Sequence, residues 1–312
     1  MAGTERATTF VTGSDGFLGT ELVKLLVSRG HRVLALTRSV EGAETMHRIG
    51  AMPVIGDPLT PGRWQDEAAA DWVFHLSLLP SDRRRTFLKR SAWARARLFL
   101  DANLLDAVSA GATGRIVYVA DTSCYGAAGS RPITEDEPPR PSASGRWLVP
   151  ALDRLNGYVL AGLPIVTAIP GCVYGNGSWF RKLVIEPVQA GRRVLQFGPT
   201  GPLVSPIHVH DYVRALVHLA EHGKTGGRYF VANSAPVRMN ELAKTFARLA
   251  HRPLRVWRLP AAATRYVLGA AWPEYPQADA VLSNIRLRAI GFRLEYPALE
   301  DGIGQVLRAF HE

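Results

Sequence analysis

The residues best suited to chemistry come early in the chain. From position 8 to 19 it reads Thr-Thr-Phe-Val-Thr-Gly-Ser-Asp-Gly-Phe-Leu-Gly, with Gly13, Gly16 and Gly19 at every third place. A glycine has no Cβ, so its backbone can come close to an anionic group. A helix that starts straight after such a turn adds free N–H groups and a partial positive charge. The chemistry on offer is capture of a pyrophosphate. Gly13, Ser14, Asp15, Gly16, Phe17, Leu18 and Gly19 are therefore candidate cofactor-binding residues.

The flanking pattern supplies the elements that such a loop requires. Phe10 and Val11 read as a strand. Residues 21–27 carry apolar side chains at helical spacing, and Gly30 follows as a helix stop. Residues 31–38 are a second strand. Further along, 44–49 reads as a short helix, 51–57, 71–77 and 114–120 as strands, and 84–109 and 147–162 as helices. Residues 163–175 read as a sixth strand with its loop, 180–191 as a helix, 227–233 as a strand, and 239–250 as an amphipathic helix. This alternation predicts an α/β fold, a doubly wound parallel sheet with ligands at the carboxyl ends of its strands.

Bulk properties agree with a globular protein. The chain has 312 residues, 47% hydrophobic and 21% charged, which excludes a disordered polymer. No run approaches the roughly 18–20 uninterrupted apolar residues of a membrane span. The first residues carry no apolar signal region. Two cysteines, Cys124 and Cys172, imply no disulfide framework, and a cytoplasmic location is expected. The net charge is +10, with arginine far outnumbering lysine. Arg83, Arg84, Arg85, Lys89, Arg90, Arg95 and Arg97 concentrate it on one helix. The motifs of nucleic-acid modules are missing, so the reading is a solvated helix face, with docking of an acidic carrier protein or a phosphate-bearing substrate as the functional alternative.

The spacing Gly-x-x-Gly-x-x-Gly, with Val-Thr before it and Phe-Leu before its last glycine, resembles the extended short-chain dehydrogenase/reductase family, which includes NAD-dependent epimerases and dehydratases. The resemblance continues in Asp71-Trp-Val-Phe-His-Leu-Ser77, Asn103-Leu-Leu-Asp-Ala-Val108, Cys124-Tyr-Gly126, Pro170-Gly-Cys-Val-Tyr-Gly175 and Ile207-His-Val-His-Asp211. It covers essentially the whole chain. It implies a Rossmann-type domain mainly over 1–175 and a smaller C-terminal substrate lobe mainly over 176–312, interleaved so that 205–235 returns to the first. It also implies a homodimer through the helices at 84–109 and 147–162, and a small-molecule substrate.

By the same resemblance Asp57, Leu76, Ser77, Pro170 and Val173 join the cofactor-binding candidates, and His75 is buried packing. Arg38, at the end of the second strand, would accommodate a 2′-phosphate, so NADP is expected in preference to NAD. Tyr174, Trp179, Phe180 and Lys182 could line a substrate pocket. No metal is expected. His208, His210 and Asp211 are metal-like by type, but the sequence places no further ligand beside them.

The resemblance breaks at the proton-transfer residues. Family members use a Ser or Thr, a Tyr, and a Lys four residues after the Tyr. No tyrosine here is followed by such a lysine. Ser144 or Gly145 falls at the Tyr place, Leu148 or Val149 at the Lys place, and Asp121 at the Ser/Thr place. The first expectation is therefore acid/base chemistry without net redox, with Asp121 catalytic and Ser123 and Ser144 as its hydrogen-bonding partners. An NADP-dependent reductase with substrate- or water-borne proton transfer is an alternative. A non-catalytic dinucleotide-binding regulator or scaffold is another.

Overall fold

The computed structural model describes residues 6–77, 90–109, 111–142, 145–260 and 278–311. Seven parallel strands form the main sheet: β1 (Thr8–Thr12), β2 (Arg32–Thr37), β3 (Met52–Ile55), β4 (Trp72–His75), β5 (Arg115–Val119), β6 (Ile165–Pro170) and β7 (Arg228–Val231). Their lateral order is β7-β6-β5-β4-β1-β2-β3. The winding reverses at β1, which pairs with β2 on one side and β4 on the other. That reversal leaves a crevice above the carboxyl ends of the strands. β6 is buried at every position, as a strand covered on both faces must be. Pro53 lies in β3 at the sheet edge, where a missing N–H breaks no ladder.

The covering helices are α1 (Phe17–Ser28), α2 (Val40–Ile49), α3 (Arg90–Ser109), α4 (Val149–Leu160), α5 (Val209–His222), α6 (Met239–Leu249) and α7 (Leu299–His311). Leu22, Val23 and Leu26 of α1 join Tyr212 and Leu216 of α5 in the core on one sheet face. Leu104 and Leu105 of α3 join Leu152 and Leu155 of α4 on the other. A third cluster gathers Phe180, Val184, Leu242, Phe246, Ile303 and Val306 beside the sheet.

Several boundaries differ from those the sequence suggests. α2 begins at Val40 because the Ser39 hydroxyl accepts the Gly42 N–H at 3.0 Å, a side-chain cap. The sixth strand is interrupted at Gly171, after which Cys172–Tyr174 pairs with Pro206–His208. A Cβ on Gly171 would lie 2.3 Å from the Ser205 carbonyl oxygen, so only glycine allows the crossing. The loop at 127–145 holds a strand, Gly129–Ile133, paired with Ala280–Leu282. The helix at 180–191 is a π-type turn, Arg181–Ile185, followed by a short α-turn, Glu186–Gln189.

The basic helix also departs from the solvated-face expectation. Arg95 is exposed, but Arg97 is 4% exposed and bonded on every side. Its charge is consumed inside the protein and contributes nothing to a docking surface. Arg83, Arg84, Arg85 and Lys89 lie outside the described residues.

Candidate functional site

The crevice at the strand ends encloses about 630 Å³. It is lined by Gly13, Asp15, Gly16, Phe17, Leu18, Gly19, Arg38, Asp57, Leu76, Ser77, Asp121, Pro170, Val173, Trp179 and Lys182, residues from distant parts of the chain brought together by the sheet. Thr37, Leu59, Leu100, Thr122, Cys172 and Ser178 line it too. Cys172 also belongs to the third core cluster and is buried. Burial pushes its thiol up to about 12, so it lines the cleft as a neutral group.

The glycine turn is built to leave room. A Cβ on Gly19 would lie 2.0 Å from the Gly13 carbonyl oxygen. Gly13 has φ +67°, where a side chain is strained, and a Cβ there would meet the backbone of Leu76 and Ser77 at 3.0 Å. Gly16 caps α1 without any side-chain acceptor, so the first N–H groups of the helix face the cleft unclaimed by a cap. These residues fit a dinucleotide pyrophosphate. Ser14 differs from its neighbours. It is fully buried, and its hydroxyl donates to the Leu36 carbonyl at 2.7 Å, tying the turn to β2 rather than facing the ligand.

The cleft wall at the end of β2 carries opposed charges. Asp15 Oδ2 accepts the Thr37 hydroxyl at 3.0 Å, which sets a carboxylate at the end of β2. Arg38 follows Thr37 on the cleft wall and is exposed. Asp57 Oδ1 accepts the Leu59 N–H at 2.9 Å and so shapes the loop after β3.

A buried polar network lies under the cleft floor. The Thr12 hydroxyl meets His75 Nδ1 at 2.8 Å and accepts the Ser77 N–H at 3.2 Å. His75 Nε2 meets Asp101 Oδ1 at 3.0 Å. Arg97 bonds Asp101 through Nε, donates Nη1 to the Ser77 carbonyl at 3.0 Å, and donates Nη2 to the Tyr118 hydroxyl. Tyr118 in turn donates to Asp101 at 2.9 Å. Burial would raise the Asp101 carboxyl, but the Arg97 charge, with His75 and Tyr118, holds it below the usual range. Burial pushes His75 below the usual imidazole range despite the Asp101 contact. The network is thus one cation and one anion, with neutral partners. His75 is more than apolar packing: it links β1 to α3.

Among the described residues the candidate tyrosine and lysine places, Gly145, Leu148 and Val149, carry no acid or base. A Cβ on Gly145 would lie 1.9 Å from the Ser123 carbonyl oxygen, so no side chain fits there. Leu148 is 5% exposed, and Val149 opens α4. Ser144 lies outside the described residues. Asp121 lines the cleft, and its Oδ1 accepts the Ser123 N–H at 2.8 Å, capping the turn Thr122–Tyr125. Ser123 is 4% exposed, below the turn and away from the cleft lining.

Of the substrate candidates, Trp179 and Lys182 line the cleft. Tyr174 and Phe180 do not. Both are at most 2% exposed and pack edge-on against each other, and Phe180 meets Phe246 of α6. The apolar demand of the third core cluster took them. His208, His210 and Asp211 are also committed to structure. His208 Nδ1 accepts the His210 N–H and its Nε2 meets Gln305 Oε1 at 3.0 Å. Asp211 accepts from Arg214 and from the backbone N–H groups of Glu295 and Tyr296.

Fold and cleft together define a dinucleotide-binding α/β protein of the extended short-chain dehydrogenase/reductase class. The sequence profile of the NAD dependent epimerase/dehydratase family matches residues 9–232, and the chain belongs to that family. A ketoreductase of Stigmatella aurantiaca, acting on 4-hydroxy-2-methyl-3-oxo-4-farnesyl-3,4-dihydroquinoline-1-oxide, is 30% identical over 74% of this chain and 70% of its own. A 3-diazoavenalumate denitrifying reductase of a Streptomyces species is 30% identical over 95% of this chain and 98% of its own. Among solved structures, UDP-glucose 4-epimerase of Thermotoga maritima, with UDP-glucose, superposes with a TM-score of 0.81 at 17% identity, over 97% of this chain and 98% of that one. The relatives are epimerases, dehydratases and reductases. Among the described residues no helix is long and apolar enough to cross a membrane.

Proposed function

We propose that the chain is a nicotinamide-dependent reductase of a small metabolite whose electrophilic centre accepts hydride without a proton from the protein. The observation that carries this reading is the loss of the phenol at both candidate places for the family's tyrosine: Ser144 has none, and the Ser123 carbonyl holds Gly145 to a residue without a side chain. With Leu148 or Val149 at the lysine place, neither of the two family positions supplies an amine or a phenol. A bound dihydronicotinamide supplies two electrons and one hydrogen as hydride. The substrate that needs nothing more is one that already bears positive charge or loses a neutral leaving group. A diazonium group is such a case: the new C–H bond forms as the C–N bond breaks, and N2 departs with the C–N bonding electrons. The similarity along nearly the full chain to a denitrifying reductase supports this substrate class.

In this reading the glycine turn and α1 hold the pyrophosphate. Arg38 favours the 2′-phosphate of NADP, and the neighbouring Asp15 limits that preference. Trp179 and Lys182 offer an aromatic face and a cation for an anionic, planar substrate. A homodimer forms across α3 and α4, where Phe99 and Leu160 stand 64% and 89% exposed.

A second reading, acid/base chemistry without net redox, is favoured by the position of Asp121 on the cleft wall. The test is turnover of candidate electrophiles with reduced cofactor deuterated at the transferable position. Label in the product, with loss of dihydronicotinamide absorbance, supports hydride transfer. Turnover with the cofactor unchanged in absorbance and label supports the second reading.

A further inference from the structure

The last turn of α5 brings together three side chains that the cleft does not use. His218, Glu221 and His222 stand at i, i+3 and i+4, the spacing that puts side chains on one helix face. One ligand atom from each lies within 4.8 Å of the other two. The imidazole rings of His218 and His222 are 4.5 Å apart, and His222 Nε2 lies 3.7 Å from Glu221 Oε2. Among the described residues this is the one group of three or more His, Cys, Asp or Glu side chains close enough to share an ion.

We infer that this turn is a binding site for a borderline divalent cation, Zn2+ above all. Two imidazoles and a carboxylate suit Zn2+, Ni2+ or Cu2+, whereas Mg2+ and Ca2+ require oxygen donors. His218 is held for the task. Its Nε2 donates to the Ile290 carbonyl at 2.9 Å, which leaves Nδ1 as the lone pair, and its ring packs 5.5 Å from Phe292. A ligating histidine held by a backbone carbonyl on its other nitrogen is the usual second-layer arrangement at metal sites. Position adds to it, since the carboxyl end of a helix carries partial negative charge that favours a cation. Arg214, one turn back, is drawn aside by Asp211 at 2.6 Å. The fourth position stays with water.

None of His218, Glu221 and His222 lines the cleft, and they stand at the carboxyl end of the 14-residue α5. The site is therefore no part of the cleft chemistry. Its effect is to clasp the end of α5 to the segment at 290–292.

The test uses tag-free, chelator-treated full-length protein titrated with ZnCl2 alone by calorimetry. Co2+ serves as an optical probe of coordination by nitrogen. His222 is more than half exposed, so His222→Ala folds, and His47→Ala removes another exposed histidine as a control. One equivalent bound by the parent and by His47→Ala, with affinity lost tenfold or more in His222→Ala, is the expected result. Binding weaker than about 100 µM in the parent, or binding equal in all three proteins, overturns the site.

Discussion

Arg97 Nη1 donates to the backbone carbonyl of Ser77 at 3.0 Å, so a buried guanidinium braces the strand end that forms the cleft floor. The same guanidinium is paired with Asp101, and both side chains are 4% exposed. Removing one partner leaves the other charge buried alone, which costs about 3–5 kcal/mol. Asp101→Asn and Arg97→Met are each expected to lower stability by that order, measured as the urea midpoint. The double variant, which leaves no orphan charge, is expected to recover part of it. Additive losses would contradict the pairing.

Arg38 and Asp15 set opposite charges on the cleft wall at the end of β2. A charge-assisted hydrogen bond contributes about 1.5–3 kcal/mol, or roughly 10- to 100-fold in affinity. Arg38→Ala is expected to weaken NADP binding by that factor and to leave NAD within about threefold. Asp15→Asn is expected to strengthen NADP binding. Calorimetric titration of both cofactors into each variant decides it. Equal affinities for both cofactors, unmoved by either change, would remove the electrostatic argument.

Asp121→Asn separates the two catalytic readings. Asparagine keeps an oxygen to accept the Ser123 N–H, so the cap at 2.8 Å survives while the charge goes. Under hydride transfer to a self-activated electrophile, kcat stays within a few-fold. A general acid or base contributes about 10²–10⁴-fold, and a loss of that size would move the chemistry onto Asp121.

Acid sensitivity is expected from His208. It is 1% exposed, and burial, aided by the nearby His210, pushes its pKa down to about 4. In the unfolded chain it titrates near 6.5. Between those values the unfolded state holds a proton that the native state excludes. Stability therefore rises with pH through this window, is full above 6.5, and is lost as pH falls towards 4. The loss is about 3 kcal/mol for one group. Urea midpoints measured between pH 7.5 and pH 4.5 should fall for the parent and fall less for His208→Gln.

Phe99 and Leu160 expose apolar surface on α3 and α4. Phe99→Asp with Leu160→Asp is expected to convert a dimer to a monomer in light scattering, with cofactor affinity unchanged. A monomeric parent at high concentration would count against the interface.

The cofactor half of the cleft was legible from residue order because its constraints are local. Gly19 must lack a Cβ on account of Gly13, six positions earlier, and that steric rule operates within one turn. The same holds for the strand, turn and helix that frame it. A missing tyrosine and lysine could likewise be read by counting along one helix. Tertiary packing decided the rest. Arg97 and Asp101 are one helical turn apart, yet their burial depends on Ser77, just beyond β4, and on Tyr118 of β5. Nothing along the sequence separates this arginine from the exposed Arg95. Tyr174 and Phe180 look as accessible as Trp179 and Lys182, but α6 supplies Phe246 as a packing partner and draws the first pair inward. The spacing of His218, Glu221 and His222 is written in the chain. That they stand as a group depends on Ile290, whose carbonyl reaches α5 across 72 residues of sequence. Local sterics and periodicity follow from residue order alone. Which side chains share a desolvated space depends on contacts between distant segments, and those exist only in the folded chain.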